Sequence, residues 1–263
     1  MTSSDLCFVE LGDGLGCYVP AAGAEELRFI HGEIFRDNCY LREGITLPDA
    51  AVVLDIGANV GLFTLYVQAR CPGARVLAVE PIPATYAALR ANLRHHGCTG
   101  VTALRTALGA RPESAVPFVC YPDHPGNATR YPAQKAKARA LLGRRPGTAQ
   151  DHEYRTRLLT DSRQVLLSVQ RLSDVLASVD LPEIIDLVKI DVEGAEADVL
   201  AGIDEADWQR IRQVVVEVQD LADAPPTIRK VLAEHGFTVT SVPSDGVLAA
   251  LGTETVFARR PSV

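Results

Sequence analysis

The stretch Val52-Val53-Leu54-Asp55-Ile56-Gly57-Ala58-Asn59-Val60-Gly61-Leu62-Phe63-Thr64 reads as a buried strand, a tight turn of small residues and the start of a helix. The run before Asp55 is short, apolar and rich in β-branched residues. Gly57 and Gly61 let the backbone approach a ligand closely, and apolar residues recur at helical spacing beyond Gly61. Turns of this kind hold nucleotides in α/β proteins, although glycines at this spacing also occur in ordinary strand-to-helix turns.

Two acids narrow the choice of nucleotide. Asp55 closes the first strand, and Glu80 closes a second, Arg75 to Glu80, at about the distance a βαβ unit needs for its acid to meet ribose hydroxyls. A helix N-terminus attracts a pyrophosphate, but a carboxylate at the position of Asp55 repels one. A ligand with an ammonium, a sulfonium, a ribose and an adenine, but no phosphate, suits this pair of acids. S-adenosylmethionine is such a ligand.

Outward from this core, strands and helices alternate: a helix from about Pro83 to His96, a strand from Val101 to Ala107, a strand Val165 to Val169, a helix Leu172 to Val179, a strand Ile184 to Ile190 and a strand Val214 to Val218. Alternation of this kind predicts a mostly parallel sheet covered by helices on both faces. A helix Pro226 to His235 precedes two close strands, Phe237 to Val242 and Thr253 to Ala258, which should pair antiparallel. A parallel sheet ending in an antiparallel hairpin is the arrangement of Rossmann-like methyltransferases, by analogy of fold alone. Upstream, Leu6 to Val19 reads as a hairpin turning at Gly12-Asp13-Gly14, and Ala24 to Phe35 as a helix. Between Pro117 and Gln164 the pattern breaks into Pro, Gly, Lys and Arg around a short helix over Ala133 to Leu142. This excursion is expected to be a substrate-facing lid, against the alternative of a mobile surface loop.

With 263 residues, 47% of them hydrophobic, the chain is long and apolar enough for one large core. A formal charge of −7 disfavours nucleic acid as a partner, leaving a local basic run from Lys135 through Lys137, Arg139, Arg144 and Arg145. That run reads either as a solvated helix face or as a dock for an acidic partner. Cys7, Cys17, Cys39, Cys71, Cys98 and Cys120 show neither a CxxC pair nor metal spacing and are expected to be reduced thiols. No stretch reaches the ~20 apolar residues of a membrane span and no leader pattern opens the chain, so a cytoplasmic location is expected.

A second acidic cluster, Lys189, Asp191, Glu193 and Glu196, follows the apolar strand ending at Ile190, on the sheet edge where α/β proteins bind ligands. Strand alternation carries Lys189, Asp191 and Glu193 onto one face, and a helix starting at Glu193 aligns Glu193 with Glu196. Asp191 reads as a residue near the reacting centre. Glu193 and Glu196 read either as site residues or as caps on a helix's positive end. Asp191 and Glu193 together are also the one pair here that offers itself to a Mg²⁺, although hard cations take more oxygen ligands than two acids supply.

These residues form blocks that resemble the FkbM family of S-adenosylmethionine-dependent methyltransferases: EIFRDNCY from Glu33, LDIGANVGLFTLY from Leu54, AVEPIPATYAALRANL from Ala78, LVKIDVEGAEADVLAGI from Leu187 and RQVVVEVQD from Arg212. The resemblance implies a Rossmann-like α/β domain over residues 49–263, with a mostly parallel seven-stranded sheet, an inserted lid at about 117–164 and an N-terminal cofactor cover over residues 1–48. It implies S-adenosylmethionine held by Asp55, Gly57, Ala58, Asn59 and Gly61 on the methionine side, by Glu80 at the ribose, and by Pro81, Ile82, Tyr40, Thr106 and Asp191 around it. Asp191, Glu193 and Lys189 are the implied catalytic set.

The implied reaction is O-methylation of a small-molecule hydroxyl on a polyketide, peptide or sugar-derived secondary metabolite, free or presented by a carrier protein, by an enzyme for which a homodimer is allowed. N-methylation of a small molecule, a nucleotide-binding oxidoreductase and a non-catalytic partner-binding module are the alternatives. The oxidoreductase lacks a hydride-relay set, and the Asn-Pro-Pro-aromatic run of many base methylators is absent. One block departs from the family pattern, in which Glu-Val-His-Asp is expected: here it reads Glu217-Val218-Gln219-Asp220, and Gln cannot act as a base. His124 and His152, each more commonly an exposed loop residue, are then candidate bases along with Asp191 and a metal.

Overall fold

The computed structural model describes residues 6–122, 124–143, 162–219, 224–244 and 252–261. Its centre is β3 (Val52–Ile56), every residue of which is buried. β3 pairs in parallel with β4 (Arg75–Val79) on one side and with β9 (Leu187–Ile190) on the other. β5 (Val101–Leu104) extends the sheet beyond β4, and β10 (Gln213–Val218) extends it beyond β9, both in parallel. The predicted closing hairpin forms from β11 (Thr238–Pro243) and β12 (Glu254–Arg259), and β12 also lies antiparallel to β10. The result is a seven-stranded sheet in the order β11-β12-β10-β9-β3-β4-β5.

The order explains why the central strands read as continuous apolar runs. One face packs Leu54, Val188 and Val216 into one core, and the other packs Val53, Leu187 and Val215 into a second. A strand covered on both faces has no polar side to alternate with. From β3 the chain turns one way to β4 and β5 and later the other way to β9 and β10, so the crevice at the carboxyl ends of β3 and β9 is the switch point where open α/β sheets bind ligands.

The second core is closed by the N-terminal segment. β1 (Leu6–Glu10) and β2 (Gly16–Pro20) form the expected hairpin. The sequence reads one helix through Phe35, but α1 (Ala24–His31) runs into a wider π turn over Gly32–Arg36. Leu27, Ile34 and Tyr40 pack from this segment onto the sheet face. Phe35 stacks on His31 and meets Tyr66 edge-on, a packing role.

Three boundaries differ from the sequence reading. The predicted strand Val101 to Ala107 divides: β5 ends at Leu104, and Ala107–Leu108 (β6) joins a separate three-stranded sheet with β7 (Glu113–Cys120) and β8 (Arg163–Gln170). Periodicity cannot show a break when both halves are extended. The excursion expected from Pro117 begins later, because β7 continues through Pro117 and pairs with β8. The strand expected from Ile184 narrows to Leu187–Ile190, with only an isolated bridge between Ile185 and Ile211 before it.

Around the sheet lie α2 (Leu62–Arg70), α3 (Pro83–His95), α4 (Pro132–Gly143), α5 (Leu172–Ser178), α6 (Glu196–Ala201), α7 (Glu205–Trp208) and α8 (Ala224–Glu234). All six cysteines are free thiols, as expected. Among the described residues no helix is long and apolar enough to cross a membrane.

Candidate active site

A cavity opens at the switch point. Its floor is the turn after β3, where Gly57, Asn59 and Gly61 all take positive φ, at 77°, 51° and 94°. The amides of Gly57 and Ala58 both donate to the carbonyl of Val79, tying the turn to the end of β4. Gly57 is required there, since a Cβ would lie 1.8 Å from the Asp191 carbonyl oxygen. The two halves of the site, the small-residue loop and the second acidic cluster, are therefore in direct backbone contact.

Asp55 lies beneath the loop, off the cavity wall, and is fully buried. One carboxylate oxygen accepts from the Thr64 hydroxyl at 2.6 Å, and the other stands 3.3 Å from the Lys189 ammonium. Lys189 also donates to the Gly57 carbonyl at 2.8 Å and stands 3.7 Å from Asp191. Burial pushes the Lys189 pKa down, but Asp55 and Asp191 outweigh it and the net shift is upward. Lys189 is thus a fixed cation that organises the turn, and its proton is not available for exchange with an acceptor near neutral pH. The Asp191 carboxylate accepts from the Tyr40 hydroxyl at 2.9 Å, and the Lys189 ammonium stands 5.4 Å from the Tyr40 ring centre. Tyr40 is buried, and its pKa is raised by that burial and by Asp191, so it remains a donor.

Glu80 faces the cavity from the end of β4. Its carboxylate accepts from the amides of Asn59 and Ile82, each at 2.9 Å, and from the Thr85 hydroxyl at 2.6 Å. Burial raises its pKa against these three donors. Pro81, Ile82 and Thr106 continue the same wall, with Ile82 packed against Phe118. Thr106 sits in the break after β5, its hydroxyl 3.2 Å from the Ala107 carbonyl.

On the other wall the sequence reading needs correction. The expected alternation of Lys189, Asp191 and Glu193 along one strand face stops at Ile190, and Glu193 lies in a turn with φ 58°. The helix begins at Glu196 rather than Glu193. Glu196 turns back to accept from the Gly194 amide at 2.8 Å, the capping alternative, and is buried. Glu193 is held by two partners. The Lys135 ammonium donates to it, and the Gln219 amide donates at 2.9 Å. Lys135, in the run read either as a solvated helix face or as a dock for an acidic partner, is 4% exposed and also donates to Asn127 at 2.9 Å. A lysine in a basic run gives no sequence signal for burial, because its partner lies 58 residues away. Arg144, Arg145 and His152 lie outside the described residues. His124, expected in an exposed loop, is buried on the cavity wall.

Three further carboxyls line the cavity: Glu33, which lies in the N-terminal block expected to cover the cofactor, and Glu26 and Glu217, which the sequence did not single out. Glu26 and Glu33 come from the N-terminal segment and Glu217 from β10. Burial raises Glu26 to about 8, although the Gly126 amide donates to it at 3.0 Å. Burial and then Asp191 raise Glu33 to about 7. Burial, then Asp191 and Glu193, hold Glu217 well above the ordinary carboxylate range. The helical spacing of Glu26 and Glu33 could have flagged one acidic face, but α1 has acids elsewhere too and only packing says which face looks inward. Among the described residues no group of three His, Cys, Asp or Glu side chains is arranged to hold a metal ion. Asp191 and Glu193, the pair offered to Mg²⁺ by the sequence, are instead engaged by Tyr40 and Lys189 and by Lys135 and Gln219.

A mostly parallel seven-stranded sheet of this order, closed by an antiparallel pair, is the Rossmann-like architecture of methyltransferases. The crystal structure of methyltransferase FkbM from Methylobacillus flagellatus KT shares it, with a TM-score of 0.52 at 16% identity over 83% of this chain and 46% of that one. The model of the methyltransferase FkbM domain matches residues 55–239. The 31-O-demethyl-FK506 methyltransferase FkbM of Streptomyces tacrolimicus is 40% identical over 93% of this chain and 94% of its own. Methyltransferase 1 of Beauveria bassiana is 36% identical over 88% of this chain and 89% of its own. The chain belongs to the FkbM methyltransferase family, and it is a methyltransferase.

Proposed function

We propose that this methyltransferase moves the methyl group of S-adenosylmethionine to a hydroxyl of a small-molecule secondary metabolite. The observation that carries the reading is the row of carboxyl groups lining the cavity, which can ionise as a cation enters, with both lining lysines already paired. Glu80, Asp191, Glu33, Glu26 and Glu217 form the row, while Lys135 and Lys189 are each paired to a carboxylate. Such a wall suits a cationic, phosphate-free adenosine and opposes a pyrophosphate.

The residues fit that molecule. Asn59 Oδ1 is buried without a hydrogen-bond partner, an acceptor suited to the donor's ammonium. A carboxylate offers about four acceptor positions and Glu80 uses three on the protein, which leaves room for a ribose hydroxyl. The turn at Gly57 brings backbone within reach of the methionine moiety. S-adenosylmethionine supplies the transferable methyl. Asp191, oriented by Tyr40 and Lys189, faces the reacting centre, and Lys189 and Glu193 act as positioning residues for it and for the inserted helix. Positioning of this kind is worth roughly 7 to 11 kcal/mol in favourable cases.

Oxygen as the accepting atom is supported by the Streptomyces relative, whose name specifies 31-O-demethyl-FK506. Calorimetry with S-adenosylmethionine and with NAD tests the donor: tight NAD binding with no S-adenosylmethionine binding would promote an oxidoreductase. Label transfer from S-adenosylmethionine to hydroxylated and aminated acceptors, each offered free and on a carrier protein, tests the accepting atom and its presentation. Asp191→Asn is expected to lower turnover by orders of magnitude while donor binding persists.

A further inference from the structure

A hydroxyl of high pKa must lose its proton as it is methylated, and Gln219 stands where a histidine was expected. The acids around the cavity are not equivalent candidates. Glu80 is occupied by three donors, Glu193 by Lys135 and Gln219, Asp191 by Tyr40 and Lys189, and Glu26 by the Gly126 amide. The side-chain carboxyls of Glu33 and Glu217 show no donor among the described residues, although the Glu33 backbone carbonyl accepts from the Cys39 amide. Of these two, Glu217 is carried by the sheet. Val216 pairs with Ile190, so Glu217 is the next residue on β10 and projects to the same face as Val215, while Asp191 follows the end of β9 beside it. Side chains held on strands keep the geometry that proton transfer needs better than those on a covering segment.

We propose that Glu217 is the group that takes the acceptor's proton. The inference rests on the S-adenosylmethionine-dependent reading above. In the step, the acceptor O–H bond breaks and its proton passes to a Glu217 carboxylate oxygen. The new O–CH₃ bond forms as the CH₃–S bond breaks, its electron pair remaining on sulfur.

The surroundings suit this task. Burial acts first on the Glu217 carboxyl, then Asp191 and Glu193 from the segment after β9 and Glu33 from the N-terminal segment, against Lys189 of β9, with Cys39 and Tyr40 facing the same group. The carboxyl is therefore a stronger base than an ordinary one, and it ionises most readily when the cationic methyl donor enters beside it.

S-adenosylmethionine titrated into the full chain in phosphate and in Tris at neutral pH counts the protons released on binding. Wild type is expected to release them and E217Q to release fewer, with donor affinity within about tenfold of wild type. Equal release by the two proteins overturns the proposal, whereas no binding to wild type overturns the methyltransferase reading beneath it. Methyl transfer is then read with cyclohexanol and cyclohexanethiol as probes. E217Q is expected to lose at least about 100-fold on the alcohol and far less on the thiol at alkaline pH, where the thiol ionises unaided. Equal losses on both overturn the assignment, and if wild type accepts neither probe the proton count decides. Should E217Q not fold, E217D takes its place, with a shifted pH dependence of proton release expected and an unchanged one overturning the role.

Discussion

The Lys135 ammonium, on the inserted helix, and the Glu193 carboxylate, in the turn after the central strand, form an ion pair with their side chains 5% and 19% exposed. Through it the segment between β7 and β8 is fastened to the rim of the candidate site. The Thr129 hydroxyl adds a hydrogen bond to the Glu193 carbonyl at 2.7 Å, so the same residue is held by side chain and by backbone.

Removing one member of such a pair leaves the other charge buried and poorly solvated, which typically costs about 3 kcal/mol. Lys135→Ala is expected to lose about that much stability in urea unfolding, and the double variant K135M/E193L is expected to recover most of it. A double variant no more stable than Lys135→Ala would show that the pair is not the source of the loss.

Gly57 and Gly97 both take positive φ, 77° and 63°, yet a Cβ at Gly57 meets backbone at 1.8 Å and one at Gly97 meets nothing within 4 Å. Gly97→Ala is expected to cost about 1 kcal/mol of backbone strain. Gly57→Ala must also push the Asp191 carbonyl away, and is expected to lower S-adenosylmethionine affinity by more than 100-fold by calorimetry, about 2.7 kcal/mol or more. Similar affinities in the two variants would show that the loop and the Asp191 turn are not rigidly joined.

Asp55 has no solvent exposure, and Lys189 is its charge partner at 3.3 Å. Lys189→Met is expected to cost about 3 to 5 kcal/mol, and adding Asp55→Asn to restore part of it. Chemical unfolding of the two single variants and the double gives the coupling energy directly, and a coupling near zero would refute the pairing.

Burial raises Glu196 from 4.5 to about 7 against the donation from the Gly194 amide. The native state therefore still binds a proton at pH values where the unfolded chain has released it. Its contribution to stability is fully present below pH 4.5 and is lost as pH rises through about 7. Glu196→Gln keeps the acceptor without the titration. The stability of wild type relative to this variant is expected to fall by about 1.4 kcal/mol for each pH unit across that window. A difference independent of pH would show that Glu196 titrates normally.

Much of the fold was legible because its determinants are local. Val52 to Ile56 is apolar but for Asp55, the glycines at 57 and 61 mark the turn, and the short spacing between β11 and β12 leaves them little choice but to pair. The break after Leu104 has no sequence signal, because the residues on both sides are extended and only their partners differ. Lys189 was legible as a site residue by its position after an apolar run, but its function depends on Asp55 and Gly57, which lie on another strand. The burial of Lys135 and the inward turn of Glu217 had no local signature, and the spacing of Glu26 and Glu33 marks a shared face without saying that it looks inward.

By itself the sequence determined the alternation of elements, the parallel core, the turn at Gly57 to Gly61 and the carboxylates Glu80 and Asp191 at the strand ends, because periodicity and glycine placement act over a few residues. Tertiary structure alone decided the charge balance of the cavity. It paired Lys189 with Asp55 and Lys135 with Glu193, and left Glu33 and Glu217 without donors among the described residues. Ion pairing and desolvation depend on distances of a few ångströms between residues far apart in the chain, and those distances exist only once the segments have packed.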